Sequence, residues 1–330
     1  MIRKYVIAVG FAATASVAFA QDYPEREVLG VIMWGAGGAT DVVARAVTPA
    51  AEEALGTSIV MLNRAGASGA IATTYVATAP ADGYTLLYGA ENPQLYGVTG
   101  LSDLDYRDFY PVNILGRGIG VIVAGPDAPW DSMADLIEDA QSRPGEIRMG
   151  STGPGGIPFT IGAMMNSVVD YDVTAVPFEG EGPGLTALQG GHVDFMPVGA
   201  SAAADLIAAG TVKALAVFDT EEVDALPGVP PITDDFPELE SLLPWGPFYG
   251  VWVRQDTPDD IKTTLTEAFA TAAAGEDFHR IMSARSNIVM NISGDEAQAF
   301  LDQWQSATTW ALYDVGAAEN SPEDYNIPRP

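Results

Sequence analysis

The side chains that usually carry chemistry are scarce in this chain. There is no cysteine, and His192 and His279 are the only imidazoles. Thiolate catalysis and Cys-ligated metals are therefore excluded, and with no HExxH or spaced His cluster a zinc site is not expected. Ser151 lies in Gly150-Ser-Thr-Gly, which lacks the GxSxG elbow of a serine nucleophile. The 44 acidic residues offer so many accidental carboxylate pairs that no single pair points to glycoside chemistry. The backbone remains. Val31-Ile-Met-Trp-Gly-Ala-Gly-Gly-Ala-Thr-Asp41 and Gly150-Ser-Thr-Gly-Pro-Gly-Gly156 each place glycines between an apolar run and a helical pattern. Such turns let main-chain N–H groups and a helix start approach an anion. Neither has the GxGxxG spacing or the Lys-Ser/Thr pair of a nucleotide loop, which leaves a small anion such as a carboxylate. Glycine-rich turns also occur with no ligand.

The elements that must position these turns follow from periodicity. Val28 to Trp34 reads as a strand, and Val42, Val43, Ala46 and Val47 open a helix that Gly56 caps. Ser58 to Leu62 is a second strand, Ala70 to Ala79 a helix, and Tyr84 to Tyr88 a third strand. This order predicts a mostly parallel sheet with helices on its faces, and ligands bind beyond the C-terminal ends of such strands. Those ends are Trp34-Gly35, Asn63-Arg64 and Gly89-Ala90. Further on, a helix is expected over 130–143, a short strand at 147–149 runs into the second glycine turn, and Pro158 suits the first turn of the following helix. Asp256-Thr-Pro258 reads as a helix start with Thr257 as cap. The tail from Glu319 is expected to be loosely held.

Residues 1–20 read as a cleaved secretory signal: Arg3 and Lys4 precede an apolar stretch that ends in Ala18-Phe19-Ala20. The apolar stretch is shorter than the about 20 residues of a membrane span, the alternative reading. The expected location is the periplasm. At 330 residues and 48% apolar composition the chain predicts two lobes rather than one core or a disordered polymer. With 15 basic against 44 acidic residues, nucleic acid and anionic membrane surfaces are unsuitable partners. The same charge repels an anionic ligand, unless salt screens the field to about 3 Å at 1 M. A halophilic or marine source accounts for this.

Four motifs in order carry a family resemblance. They are the Gly-rich turn with Asp41 and Arg45, then Leu55-Gly56, then Asn63-Arg64-x-Gly66-Ala67-x-Gly69, then Asp82-Gly83-Tyr84-Thr85-Leu86-Leu87. Together they resemble the solute-binding proteins of tripartite tricarboxylate transporters, the TctC or Bug family. Further matches are Val176-Pro-Phe-x-Gly180, Gly190-Gly-x-Val-Asp194 and Lys213-x-Leu-Ala-Val217.

The resemblance implies an α/β, two-lobed periplasmic binding protein of the type II fold, with hinge-linked Rossmann-like lobes. Lobe 1 is expected over 21–124 plus 250–330, and lobe 2 over 125–249. It implies a monomer with no cofactor, metal or catalytic activity that passes a small organic carboxylate to membrane permease subunits. The alternative is a sensor presenting the carboxylate to a membrane signalling protein. The expected ligand-binding residues are Trp34, Gly37, Gly38, Ala39, Thr40 and Asp41 from lobe 1, with Ser151, Thr152, Gly155, Gly156 and Phe178 from lobe 2. Asp41 is expected to support its loop rather than touch a carboxylate. Phe178 stands where the family has a tyrosine. Glu179 stands where relatives have a basic or small polar residue, so it either points to solvent or disfavours a di- or tricarboxylate and hooks a cation. Trp34 in place of Phe predicts a pocket for an apolar or aromatic acid.

Overall fold

The computed structural model describes residues 23–37, 39–152, 155–178 and 181–330. The expected signal over 1–20, Gly38 and Glu179 lie outside the described residues. β1 (Val28–Ile32), β2 (Ile59–Asn63) and β3 (Thr85–Ala90) run parallel, with β1 in the middle. Between them, α1 (Ala39–Leu55) buries Val43, Ala44, Val47, Ala51 and Leu55, and α2 covers Ala70–Ala77. Gly56 closes α1 at φ 69° with its N–H on the Glu52 carbonyl. Three more strands complete this sheet: β4 (Phe109–Gly118), β10 (Phe248–Arg254) and β11 (Asn287–Ile292), in the order β11-β4-β10-β3-β1-β2.

The second sheet is built entirely from the middle of the chain. It contains β5 (Gly120–Ala124), β6 (Arg148–Ser151), β7 (Thr174–Pro177), β8 (Phe195–Gly199) and β9 (Lys213–Val217), ordered β7-β6-β8-β5-β9. β6, β7 and β8 are parallel, whereas β5 runs antiparallel to both its neighbours. β5 ends at the residue where lobe 1 was expected to end, yet it pairs inside the second sheet. Likewise Phe248 and Tyr249 pair in the first sheet. Both changes of sheet thus come slightly earlier than the expected breaks at 124 and 249, the first at Ile119 between two apolar runs that look alike in sequence and the second before Phe248. The helices of this half are α3 (Met133–Ser142), α4 (Ile157–Asn166), α5 (Glu181–Gln189) and α6 (Ala200–Ala208). α3 starts later than expected because Ser132 and Asp135 form a reciprocal capping box.

The chain returns through Trp245, which stacks on Trp304, while Tyr106 stacks on Trp252 at 4.0 Å between centroids. α7 (Asp259–Ala273), α8 (Glu276–Ala284) and α9 (Gly294–Asp314) follow. Thr257 does not cap α7: Pro258 holds the cap position and the buried Thr257 hydroxyl has no partner. α9 packs on β4 and also on α4, so it touches both halves. The tail expected to be loose is tied beneath it. Trp310 Nε1 and Ser306 Oγ donate to the Pro328 carbonyl at 2.9 and 2.7 Å, Arg107 donates to the Tyr325 carbonyl, and Arg329 pairs with Asp314. The Val98, Trp310 and Ile327 side chains bury one another there, a long-range contact that local composition does not announce.

The two passages between sheets lie side by side. Gly118 N–H donates to the Pro247 carbonyl at 2.6 Å, and Phe218 N–H to the Gly120 carbonyl at 2.7 Å. A Cβ on Gly246 would fall on the Gly118 carbonyl oxygen, a backbone atom that cannot swing away. Gly246→Ala is therefore expected to cost about 1–3 kcal/mol. A denaturant midpoint equal to that of the parent would show that the passages are not so tightly opposed.

Candidate ligand-binding cleft

The C-terminal ends of the parallel strands in both sheets open on one cleft of about 660 Å³, within the usual range of about 300–1,000 Å³ for small-molecule sites. From the first half it is lined by Trp34, Gly35, Ala36, Ala39 and Thr40 at the start of α1, by Ser68, and by Ala90, Glu91 and Asn92 after β3. From the second come Thr152, Gly155, Gly156 and Ile157 at the start of α4, Phe178 after β7, and Glu181 at the start of α5. Pro247 and Tyr249 form the floor contributed by the return passage. Three helix starts thus face one space, each bringing unpaired N–H groups. No Lys, Arg or His lines it among the described residues.

The first turn is held by a compact network. Asp41 is buried, and its Oδ2 accepts the Gly37 N–H at 2.9 Å. Its Oδ1 accepts from Arg45 Nε at 2.9 Å and Asn63 Nδ2 at 2.8 Å, and Asn63 Nδ2 also reaches the Trp34 carbonyl. Burial alone would raise the Asp41 pKa, but these donors outweigh it and hold the carboxyl below its ordinary value. Asp41 therefore braces the loop and does not line the cleft. The Gly37 N–H, expected to face the ligand, is committed to Asp41. Ser151 also departs from expectation. It is buried at the end of β6 and lines a separate hollow of about 480 Å³ near the end of α9, while its neighbour Thr152 faces the cleft. Successive residues leaving a strand point to opposite sides.

Of the expected residues, Trp34, Ala39, Thr40, Thr152, Gly155, Gly156 and Phe178 are brought together on the cleft wall. Glu91, Asn92, Glu181 and Tyr249 were not anticipated. Glu91 and Asn92 had a signal, since they directly follow the strand end at Gly89-Ala90; Glu181 had none. Burial, with the Glu181 charge adding to it, pushes the Glu91 carboxyl up to about 7 against the partial compensation of the Glu91 and Phe248 amides. Burial likewise raises Glu181 to about 7, opposed by the Gly199 N–H on its Oε1 at 2.7 Å. Burial raises the Tyr249 phenol as well, and both carboxyls push it further. A larger hollow of about 900 Å³ lies elsewhere, lined by Arg117, His279 and the acidic Asp219, Glu221, Glu222 and Asp224. Neither glycine turn reaches it, and its acidic wall is a poor match for an anion.

Known proteins match this arrangement. A family model described as "Tripartite tricarboxylate transporter family receptor" matches residues 43–308. The chain is similar to Protein BugT of Bordetella pertussis, with 27% identity over 309 residues that cover 91% of this chain and 94% of the relative. An R. palustris protein solved with adipate superposes with a TM-score of 0.79 at 28% identity, covering 90% of this chain and 99% of the other. MatC from Rhodopseudomonas palustris with bound malate superposes at 0.73 and 27% identity, covering 89% and 100%. This chain shares the bilobed periplasmic binding-protein fold with both solved structures. No helix among the described residues is long and apolar enough to cross a membrane, and no cluster of three or more His, Asp or Glu there is placed to hold a metal.

The two raised carboxyls set a pH dependence. The folded chain keeps protons on Glu91 and Glu181 up to about pH 7, whereas an ordinary glutamate releases them near 4.5. Stability should therefore fall as pH rises across that window, by on the order of a few kcal/mol for the pair. Thermal midpoints between pH 5 and 7.5 should drop less in a Glu91→Gln/Glu181→Gln double variant than in the parent. Parallel curves would place both groups in water.

Proposed function

The chain belongs to the tripartite tricarboxylate transporter receptor family, and on that premise we propose that its cleft captures a small monocarboxylate and delivers it to the membrane permease subunits of such a transporter. It is an extracytoplasmic solute-binding protein rather than an enzyme. The observation that carries the ligand class is the meeting of both glycine-rich turns on one cleft that no Lys, Arg or His lines among the described residues. A single carboxylate head is satisfied by helix-start amides, with Thr40 and Thr152 hydroxyls at hand. Charge-assisted bonds of this kind contribute about 1.5–3 kcal/mol each when desolvated, so a few of them support micromolar binding after the ordering cost.

A second carboxylate would meet Glu91 and Glu181 with no cation among the described lining residues to offset them. The proposed ligand therefore differs in class from the adipate and malate with which two relatives were solved. Trp34, Ile157, Phe178 and Pro247 supply apolar contact for the body of the ligand, which favours an apolar or aromatic chain over a hydroxylated one. We assign residues 1–20 to a leader cleaved near Ala20, the mature chain to a monomer, and the acidic surface to a saline habitat.

Calorimetric titration of the chain from Gln21 onward with short and aromatic monocarboxylates, in dilute and molar NaCl, tests this. Micromolar binding is expected, stronger in molar salt. Ala39→Trp, which puts an indole into the cleft beside the start of α1, should weaken it at least tenfold, while Tyr75→Ala on the exposed face of α2 should not. Citrate binding tightly where no monocarboxylate binds would overturn the proposal.

A further inference from the structure

A carboxylate held by the helix starts leaves one part of the cleft wall without a role. Glu91 and Asn92 are 9% and 7% exposed, and Glu91 Oε2 and Asn92 Oδ1 have no hydrogen-bond partner. Glu181 has one oxygen occupied by the Gly199 N–H, and the Tyr249 phenol lines the same space. An amide oxygen can only accept, and a carboxylate accepts at both oxygens. Unpartnered buried acceptors are unfavourable, and two carboxyls facing one cavity repel each other. Nothing on the wall answers them, because no Lys, Arg or His lines it among the described residues. A metal ion is a poor answer, since no group of three or more potential ligands is assembled there. A group that brings several N–H donors and one positive charge meets every requirement.

We propose that the ligand is an amino-carboxylate, a small acid whose other end is a primary or secondary ammonium that donates to Glu91 Oε2 and Asn92 Oδ1 with Glu181 as second countercharge. The inference rests on the carboxylate reading given above and adds the chemistry of the far end. The wall then divides by charge: amides at the starts of α1 and α4 for the anion, and acceptors after β3 and at the start of α5 for the cation. Trp34 and Phe178 on the same wall offer apolar contact for the body of the ligand. Glu91 and Glu181 are partly protonated in the empty cleft at neutral pH, with carboxyls raised to about 7. The titratable groups that face Glu91 are Glu181 of α5, Tyr249 of β10, Tyr96 after β3 and Tyr106 before β4, none of them a cation. An incoming ammonium stabilises the carboxylates, so its binding releases protons and tightens as pH rises from 6 to 8. A diacid would need those protons retained and would show the opposite slope.

Three matched series, from three to six carbons, distinguish the outcomes in calorimetric titrations: unsubstituted monocarboxylates, diacids, and acids carrying a terminal amine. Repeating them in buffers of different ionisation enthalpy reads proton release directly. The best amino-carboxylate is expected to bind at least tenfold more tightly than its matched monocarboxylate and diacid, with net proton release. Glu91→Gln should erase that preference, and Glu181→Gln should reduce it, which keeps the test intact if one variant fails to fold. Monocarboxylates or diacids that bind as tightly as their amino counterparts would overturn the ammonium site and leave the carboxylate reading standing. Silence from all three series would overturn both.

Discussion

The chain passes between its two sheets twice, and both passages run through one narrow place. The Gly118 amide on the Pro247 carbonyl, and Gly246 pressed against Gly118, hold the end of β4 beside the start of β10. Because β10 is the antiparallel neighbour of both β3 and β4 in the first sheet, and β5 is an antiparallel member of the second, this contact fixes how both sheets are presented. The parallel strands on either side can then direct their C-terminal ends, and the helix starts that follow them, into a shared space. Without close backbone contact at 118 and 246 the two glycine turns would have no reason to face each other.

On the proposed reading, the binding forces within that space come from the main chain and the selectivity from side chains. Helix-start amides are tolerant of any small anionic head, and their geometry is guaranteed by Asp41, Asn63 and Arg45 rather than by the ligand. On the proposed reading, what the cleft refuses is decided by Glu91, Asn92 and Glu181. An acidic wall inside a protein of net charge −29 is not an echo of the surface, since a buried carboxyl raised to about 7 is unfavourable to fold around. It persists where something is gained from it.

The parallel halves of both sheets and both glycine turns were legible because they depend on local patterns: an apolar run of strand length, a glycine break, and apolar residues at helical spacing. The rest depended on pairing across long separations. β11 shows only modest burial and no alternation that sets it apart, and exists because β4 offers it a register. The tail beyond Glu319 is polar and proline-containing, yet Trp310 and Ser306 hold its last carbonyls. In the cleft, Thr152 and Ser151 have the same credentials in sequence, and only the alternation at the end of β6 decides which of them faces a ligand. Asp41 was legible as a support because a carboxylate in an anion loop makes sense only if it holds the loop.

The two sheets also differ in when they become complete. The second uses residues 120–217 alone, so all its strands exist once that stretch has been made. The first must wait for β10 at 248–254 and β11 at 287–292, and until then β3 and β4 have no strand between them. On a chain that emerges from its N-terminus, the inserted half is therefore the natural nucleus, while the earlier-made strands stand as open edges able to pair wrongly. The half that is finished last is the one begun first.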